Sequence, residues 1–290
     1  MPKVLRPPGC RIPCRGNDFA DGPAGSALPC RPRPGRTPAR AVHIVGGPQP
    51  EKEIPMIVRR AWITGAGRGI GRESALRFAR AGWELFLSSR TETELAGVAD
   101  LCRRDGAKAT VLPLDVRSPE SVEKAAGEIE RSGGLGVLVA SAGVASFRPV
   151  AETSYEEWER LLAVNLTGAF LCIRSVIPGM TRRGGGKILL LSSIAARVPL
   201  RGAGAYAASK AGLSALAAVA REELRGTGVR VTLVVPGAVD SPLWDSVGSD
   251  LDRRRMIPAR LVAEALLRVA EEPPEATTEE IVLLPPDGIL

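Results

Sequence analysis

The chain has 290 residues, 39 Lys+Arg against 32 Asp+Glu, and a single histidine, His43. That length suits one large α/β domain, and a lone histidine near the N-terminus excludes Ser-His-Asp hydrolysis and multi-histidine metal sites from the rest of the chain. Of the net charge of +7, residues 1–55 carry +5 and the remainder only +2, so no nucleic-acid partner is indicated for the folded part.

Residues 1–55 hold 12 of the 24 prolines and read as a disordered extension. An alternative reading places the true start at Met56; a transit peptide is disfavoured because the segment is not amphipathic. Cys10, Cys14, Cys30 and His43 lack the usual zinc-knuckle spacing, so no metal is expected. With no 18-residue apolar run and no secretory signal, the expectation is a cytoplasmic protein that spans no membrane. Residues 56–290 are expected to form the domain.

Arg60-Ala61-Trp62-Ile63-Thr64 reads as a short buried strand. It runs into Gly65-Ala66-Gly67-Arg68-Gly69-Ile70-Gly71 and then a helical pattern through Ser74, Leu76 and Phe78. Strand, glycine turn and helix is the arrangement in which backbone N–H groups receive a pyrophosphate. The spacing is Gly-x-x-x-Gly-x-Gly, so it departs from the usual dinucleotide fingerprint while meeting the same steric demand. The next strand, around Leu85, ends in Ser89-Arg90 where an NAD site carries an acid. Arg90 and Arg68 would clamp a 2′-phosphate, which favours NADP(H) and leaves NAD(H) as the alternative.

Further strands are expected near Ala109, Val137, Ile188, Val231 and Ile281, giving seven. Helices are expected at Glu92–Arg104, Pro119–Arg131, Ser154–Arg182, Ala205–Arg225 and Ala259–Glu271, with Cys102 and Cys172 as apolar packing in two of them. This alternation predicts a Rossmann-type, doubly wound parallel sheet with helices on both faces. Within the fourth of these helices, Tyr206 and Lys210 stand one turn apart on one face. An ammonium beside a phenol is expected to lower its pKa toward that of a working acid–base catalyst.

With these residues assembled, residues 58 to 285 resemble the short-chain dehydrogenase/reductase family, in particular its NADP-dependent 3-oxoacyl-carrier-protein-reductase-like and carbonyl reductases. Thr64 to Gly71 matches the family's cofactor turn, and Val139-Ala140-Ser141-Ala142-Gly143 stands where the family has Asn-Asn-Ala-Gly. The resemblance implies catalysis by Ser193, Tyr206, Lys210 and Asn165. Tyr206 would be the proton donor and acceptor, Ser193 would hold the substrate oxygen, Lys210 would tune the phenol and hold the ribose, and Asn165 would hold a water beside Lys210. It further implies cofactor contacts from Asp115, Val116, Ala142, Gly143, Pro236, Gly237 and Ser241.

Two further expectations concern partners. The helix from Ala205 is apolar nearly all round and calls for a cover, which points to a homodimer or homotetramer. Residues Pro236 to Arg260 are expected to form a substrate lid, and Arg197 and Arg201 are candidates to meet an anionic substrate. The reaction implied is hydride exchange between nicotinamide and a small-molecule carbonyl or alcohol. The rivals are an NAD-dependent alcohol or sugar dehydrogenase and a catalytically silent dinucleotide sensor; a keto thioester, a diketone and a sugar all remain open as substrates.

Overall fold

Successive residues of each strand enter opposite cores. Trp62, Leu138, Ile188 and Leu190 pack into one, while Ala61, Ile63, Val139 and Leu189 pack into the other. A sheet apolar on both faces must be covered on both. The computed structural model describes residues 58–247 and 251–289. The expectations for residues 1–55 therefore lie outside the described residues.

In chain order the elements are β1 (Arg60–Thr64), α1 (Gly69–Arg80), β2 (Glu84–Ser88), α2 (Glu92–Arg104), β3 (Ala109–Val111), α3 (Pro119–Arg131) and β4 (Val137–Ala140). There follow α4 (Tyr155–Leu162), a π-helical turn (Ala163–Thr167), α5 (Gly168–Arg182), β5 (Gly186–Leu191), α6 (Gly204–Glu223) and β6 (Val229–Pro236). The chain closes with β7 (Val239–Asp240), β8 (Ile257–Pro258), α7 (Ala259–Glu271) and β9 (Glu280–Leu283). Seven strands form one parallel sheet in the order β3-β2-β1-β4-β5-β6-β9. Helices α1, α2 and α7 cover one face, and α3, α5 and α6 the other. The order reverses between β1 and β4, and a doubly wound sheet opens its ligand crevice at that point.

The seven expected strands and the two-faced arrangement are all present, and α2, α3 and α7 have the limits read from the sequence. Local chemistry explains such sharp ends. Ser118 accepts a hydrogen bond from Ser121 N at 3.1 Å with Pro119 in the first turn of α3, a cap worth about 1 kcal/mol. Gly82, at φ +77°, takes the left-handed conformation just past α1 that a side chain would resist. The expected helix Ser154–Arg182 runs continuously from Tyr155 through a π turn around Asn165, and β7 with β8 forms a two-strand ladder that no periodicity announced.

One expectation needs adjusting. The continuous run Tyr155–Arg182 is, by length and composition, apolar enough to cross a membrane, with a mean hydropathy of 1.7 over its richest window. Its apolar side is already used, because Leu171, Ile173, Val176 and Met180 are buried in the core against the sheet. Helix α6, expected to be apolar all round, buries Leu213, Ala217 and Ala220 while Ala211, Ala215, Ala218 and Val219 face outward. Cys102 and Cys172 are buried free thiols, pushed by burial up to about 11 and about 12 respectively, which leaves them as packing groups.

Candidate active site

A cavity of about 380 Å³ lies across the C-terminal ends of β1, β2, β4, β5 and β6. At one end is the glycine turn. Gly65 has φ +69°, and a Cβ there would come within 2.8 Å of Ala142 Cα; a Cβ on Gly71 would run into the Gly65 carbonyl. Only hydrogen side chains let β1 and β4 end this close together, and the turn thereby leaves its backbone open to the cavity. Ser141, standing where the resemblance led one to expect asparagine, ties the two strand ends by donating from Oγ to the Thr64 carbonyl at 2.5 Å.

Around the turn, Gly65, Gly67, Arg68, Gly69, Ile70 and Gly71 border the cavity with Ser89, Arg90, Asp115 and Val116. Arg68 and Arg90 are exposed at the rim. Asp115 is engaged by Arg117: the guanidinium donates to both carboxylate oxygens at 2.6–3.0 Å, and the Arg117 backbone N–H donates at 3.0 Å. These hydrogen bonds hold its carboxyl below the usual carboxylate range. Glu94, which the sequence reading did not single out, also borders this end, and its carboxylate lies against Gly67. Its signal was its place in the first turn of α2, directly after Arg90.

Ala142, Gly143, Pro236, Gly237 and Ser241 line the middle of the cavity. Gly237 is fixed by its N–H to the Leu283 carbonyl at 2.7 Å. Beyond them Ser193, Tyr206 and Lys210 converge from the end of β5 and the first turns of α6. Tyr206 is only 9% exposed, and the Ser193 hydroxyl is its hydrogen-bond partner. Ser193 Oγ also accepts from Ala195 N at 3.2 Å, which fixes its rotamer. Lys210 Nζ donates to the Leu191 carbonyl at 2.7 Å and stands 5.9 Å from the Tyr206 ring centroid.

That geometry corrects one expectation. Burial pushes the Tyr206 phenol above its ordinary value and only the Ser193 hydrogen bond opposes it; no lowering comes from Lys210. Burial instead brings the lysine itself down to about 8. The phenol thus holds its proton at neutral pH and is poised as a donor.

The family whose model matches residues 59–252 is the short chain dehydrogenase family. The chain belongs to it. As a family member it is an oxidoreductase of the CH-OH/C=O type. It is 34% identical to a sepiapterin reductase of Chlorobaculum tepidum over 78% of this chain and 96% of that one. Among solved structures, an alcohol dehydrogenase of Thermococcus sibiricus complexed with 5-hydroxy-NADP superposes with a TM-score of 0.72 at 31% identity, covering 77% of this chain and 95% of that one. An actinorhodin polyketide ketoreductase with NADPH gives 0.72 at 30% identity, covering 78% and 94%.

Seen as a short chain dehydrogenase, the molecule brings the anticipated catalytic and cofactor residues to one cavity except Asn165. Asn165 is buried behind it, in the π turn. Its Oδ1 accepts from Val144 N at 2.9 Å, and its Nδ2 donates to the Val144 carbonyl at 2.9 Å and to Ser209 Oγ at 3.0 Å. Both amide protons are therefore committed, and the side chain braces the loop after β4. Arg197 and Arg201 do not border the cavity; Arg197 pairs with Glu280. In the expected lid segment, Arg253 pairs with Asp240 and Asp245, Arg254 with Asp252, and Arg255 with Asp287. The sequence reading missed Phe147, which lines the cavity from the loop after β4 and touches Tyr206 at 6.0 Å between ring centroids. No local pattern marks it, since its role depends on rings brought in from distant loops.

Proposed function

We propose that this oxidoreductase is an NADP(H)-dependent carbonyl reductase, interconverting a ketone and a secondary alcohol. The observation that carries the reading is the convergence of Tyr206, Ser193 and Lys210 in the cavity that the glycine turn opens at its other end. The cradle fits a dinucleotide: backbone at Gly65 to Gly71 is open for a pyrophosphate, and Arg68 and Arg90 are at the rim for a 2′-phosphate. The alcohol dehydrogenase and ketoreductase neighbours, with 5-hydroxy-NADP and NADPH, support the same cofactor. When bound, NADPH supplies the hydride.

The protein's own groups do the rest. Ser193 and Tyr206 direct their hydroxyls at the carbonyl oxygen, where negative charge grows as the carbon is reduced. The Tyr206 O–H bond breaks and its proton completes the alcohol; oxidation runs the same transfer backward. Lys210, buried yet bordering the cavity, offers its ammonium to a ribose hydroxyl and to the nascent phenolate. Asn165 keeps Val144 and Ser209 in place beneath this group. The outward face of α6, with Val219 55% exposed, supports a homodimer or homotetramer.

Fluorescence titration should give at least tenfold tighter binding of NADPH than of NADH, with Arg90→Glu reversing the order; a wild-type preference for NADH refutes the cofactor assignment and favours the NAD-dependent alcohol dehydrogenase. Tyr206→Phe should lower kcat by about a thousandfold and leave NADPH affinity within about threefold. Retained turnover in that variant means another group supplies the proton.

A further inference from the structure

The cavity continues past Tyr206 into a chamber with different walls. Phe147 and Trp244 stack there with ring centroids 5.8 Å apart and planes 7° from parallel. The Trp244 N–H is committed to the Val239 carbonyl at 2.9 Å, so its one polar atom is satisfied away from the chamber. Leu200, Leu243, Val247 and Ile289 complete the lining, the last from the C-terminal segment. Among the described residues at this end none is charged. Of the cations bordering the cavity, Arg68 and Arg90 belong to the glycine-turn end, and Lys210 stands beside Tyr206 with its Nζ held on the Leu191 carbonyl.

From these walls we propose that the substrate is an uncharged ketone bearing an aryl or alicyclic ring, held with its ring against Phe147 and Trp244 and its carbonyl at Tyr206. This rests on the carbonyl-reductase reading and narrows it. Ring carbons entering the chamber shed water against the apolar side chains that wall it. A polyhydroxylated ketone would lose its hydroxyls' water partners with no free polar side chain among the chamber walls to replace them. A carboxylate or phosphate would enter the chamber with no cation among its walls to meet it. Of the three substrate types that the sequence left open, a sugar is thereby disfavoured, and Phe147 and Trp244 become specificity-determining residues.

The test is kcat/KM with NADPH for acetophenone, butanone, dihydroxyacetone and para-acetylbenzoate. Acetophenone should exceed butanone by at least about tenfold, and exceed dihydroxyacetone and para-acetylbenzoate by about a hundredfold. Trp244→Ala should cut the acetophenone-to-butanone ratio by about tenfold. Should that variant fail to fold, Leu200→Arg serves, because Leu200 is only half-buried and the guanidinium can reach water; it should raise para-acetylbenzoate relative to acetophenone by about tenfold. Wild-type preference for dihydroxyacetone or para-acetylbenzoate, or ratios that neither variant moves, overturns the inference and leaves the reductase standing. NADPH bound but consumed with none of the four ketones overturns both.

Discussion

Strand β5 has a buried lysine at each end of its span, and the two invite comparison. At its start, Lys187 is 1% exposed and donates to three carbonyls, those of Val269 at 2.7 Å, Ala270 at 3.1 Å and Glu272 at 2.5 Å. At its finish, the Leu191 carbonyl receives Lys210, which is 5% exposed and comes from α6. Burial brings both ammonium groups down to about 8, with Glu272 opposing the shift at Lys187. By charge, burial and pKa they are twins. They differ in what lies beside them: Lys187 closes the C-terminal end of α7, where a cation meets the helix dipole, whereas Lys210 borders the cavity and Gly143. A perturbed lysine is therefore no mark of catalysis by itself; open space at its head is what separates a catalytic candidate from a cap.

The comparison breaks most visibly at Lys210. Replacing it with methionine should reduce kcat/KM for ketone reduction by about a hundredfold or more, through both proton transfer and ribose binding. Its melting temperature should stay level or rise, because an ion buried in an apolar setting is removed. Full activity in purified Lys210→Met would erase the distinction between the two lysines.

A smaller effect of opposite kind is expected at Lys187. Lys187→Met leaves three carbonyls at the end of α7 without their donor and should lower unfolding free energy by about 2–3 kcal/mol in urea titration. Turnover per folded molecule should remain within about twofold of wild type. A loss of kcat with unchanged stability would mean that Lys187 communicates with the cavity after all.

These two lysines also measure how far sequence reasoning reached. Tyr206 and Lys210 were legible because one helical turn fixes their relation, and the glycine turn because Gly65 to Gly71 is contiguous. The sheet was legible because seven apolar runs alternate with helical patterns, and the ends of α3 because Ser118-Pro119 is a local signal. Lys187 passed unnoticed: a lysine in an apolar strand looks like an edge residue until α7 supplies its carbonyls. The Phe147–Trp244 stack joins residues from two loops, and Asn165 is explained by Val144 across the chain. Such relations have no period to read. The direction of the Tyr206 shift was misjudged for the same reason, since it depends on how deeply the ring is buried and on where Lys210 Nζ points.

The smallest expected effect tests the shared property of the pair. An unfolded lysine keeps its proton to roughly pH 10.4, while each folded one releases it near 8. Between those limits the unfolded chain binds more protons, so stability rises with pH from about 8, by at most about 1.4 kcal/mol per pH unit for each lysine. Tyr206 acts in the other direction: its folded phenol is held above the ordinary value, so its contribution is lost only as the pH climbs beyond about 10. Urea midpoints measured at pH 7.5, 8.5 and 9.5, values chosen to bracket the roughly 8-to-10 window, should climb for the wild type. The slope should fall by about half in Lys187→Met and by about half in Lys210→Met, since each variant removes one of two equivalent protons. A slope that survives in Lys187→Met and vanishes in Lys210→Met would show that the two burial sites are not equivalent, and that the carbonyls around Lys187 retain its proton where the single carbonyl at Lys210 does not.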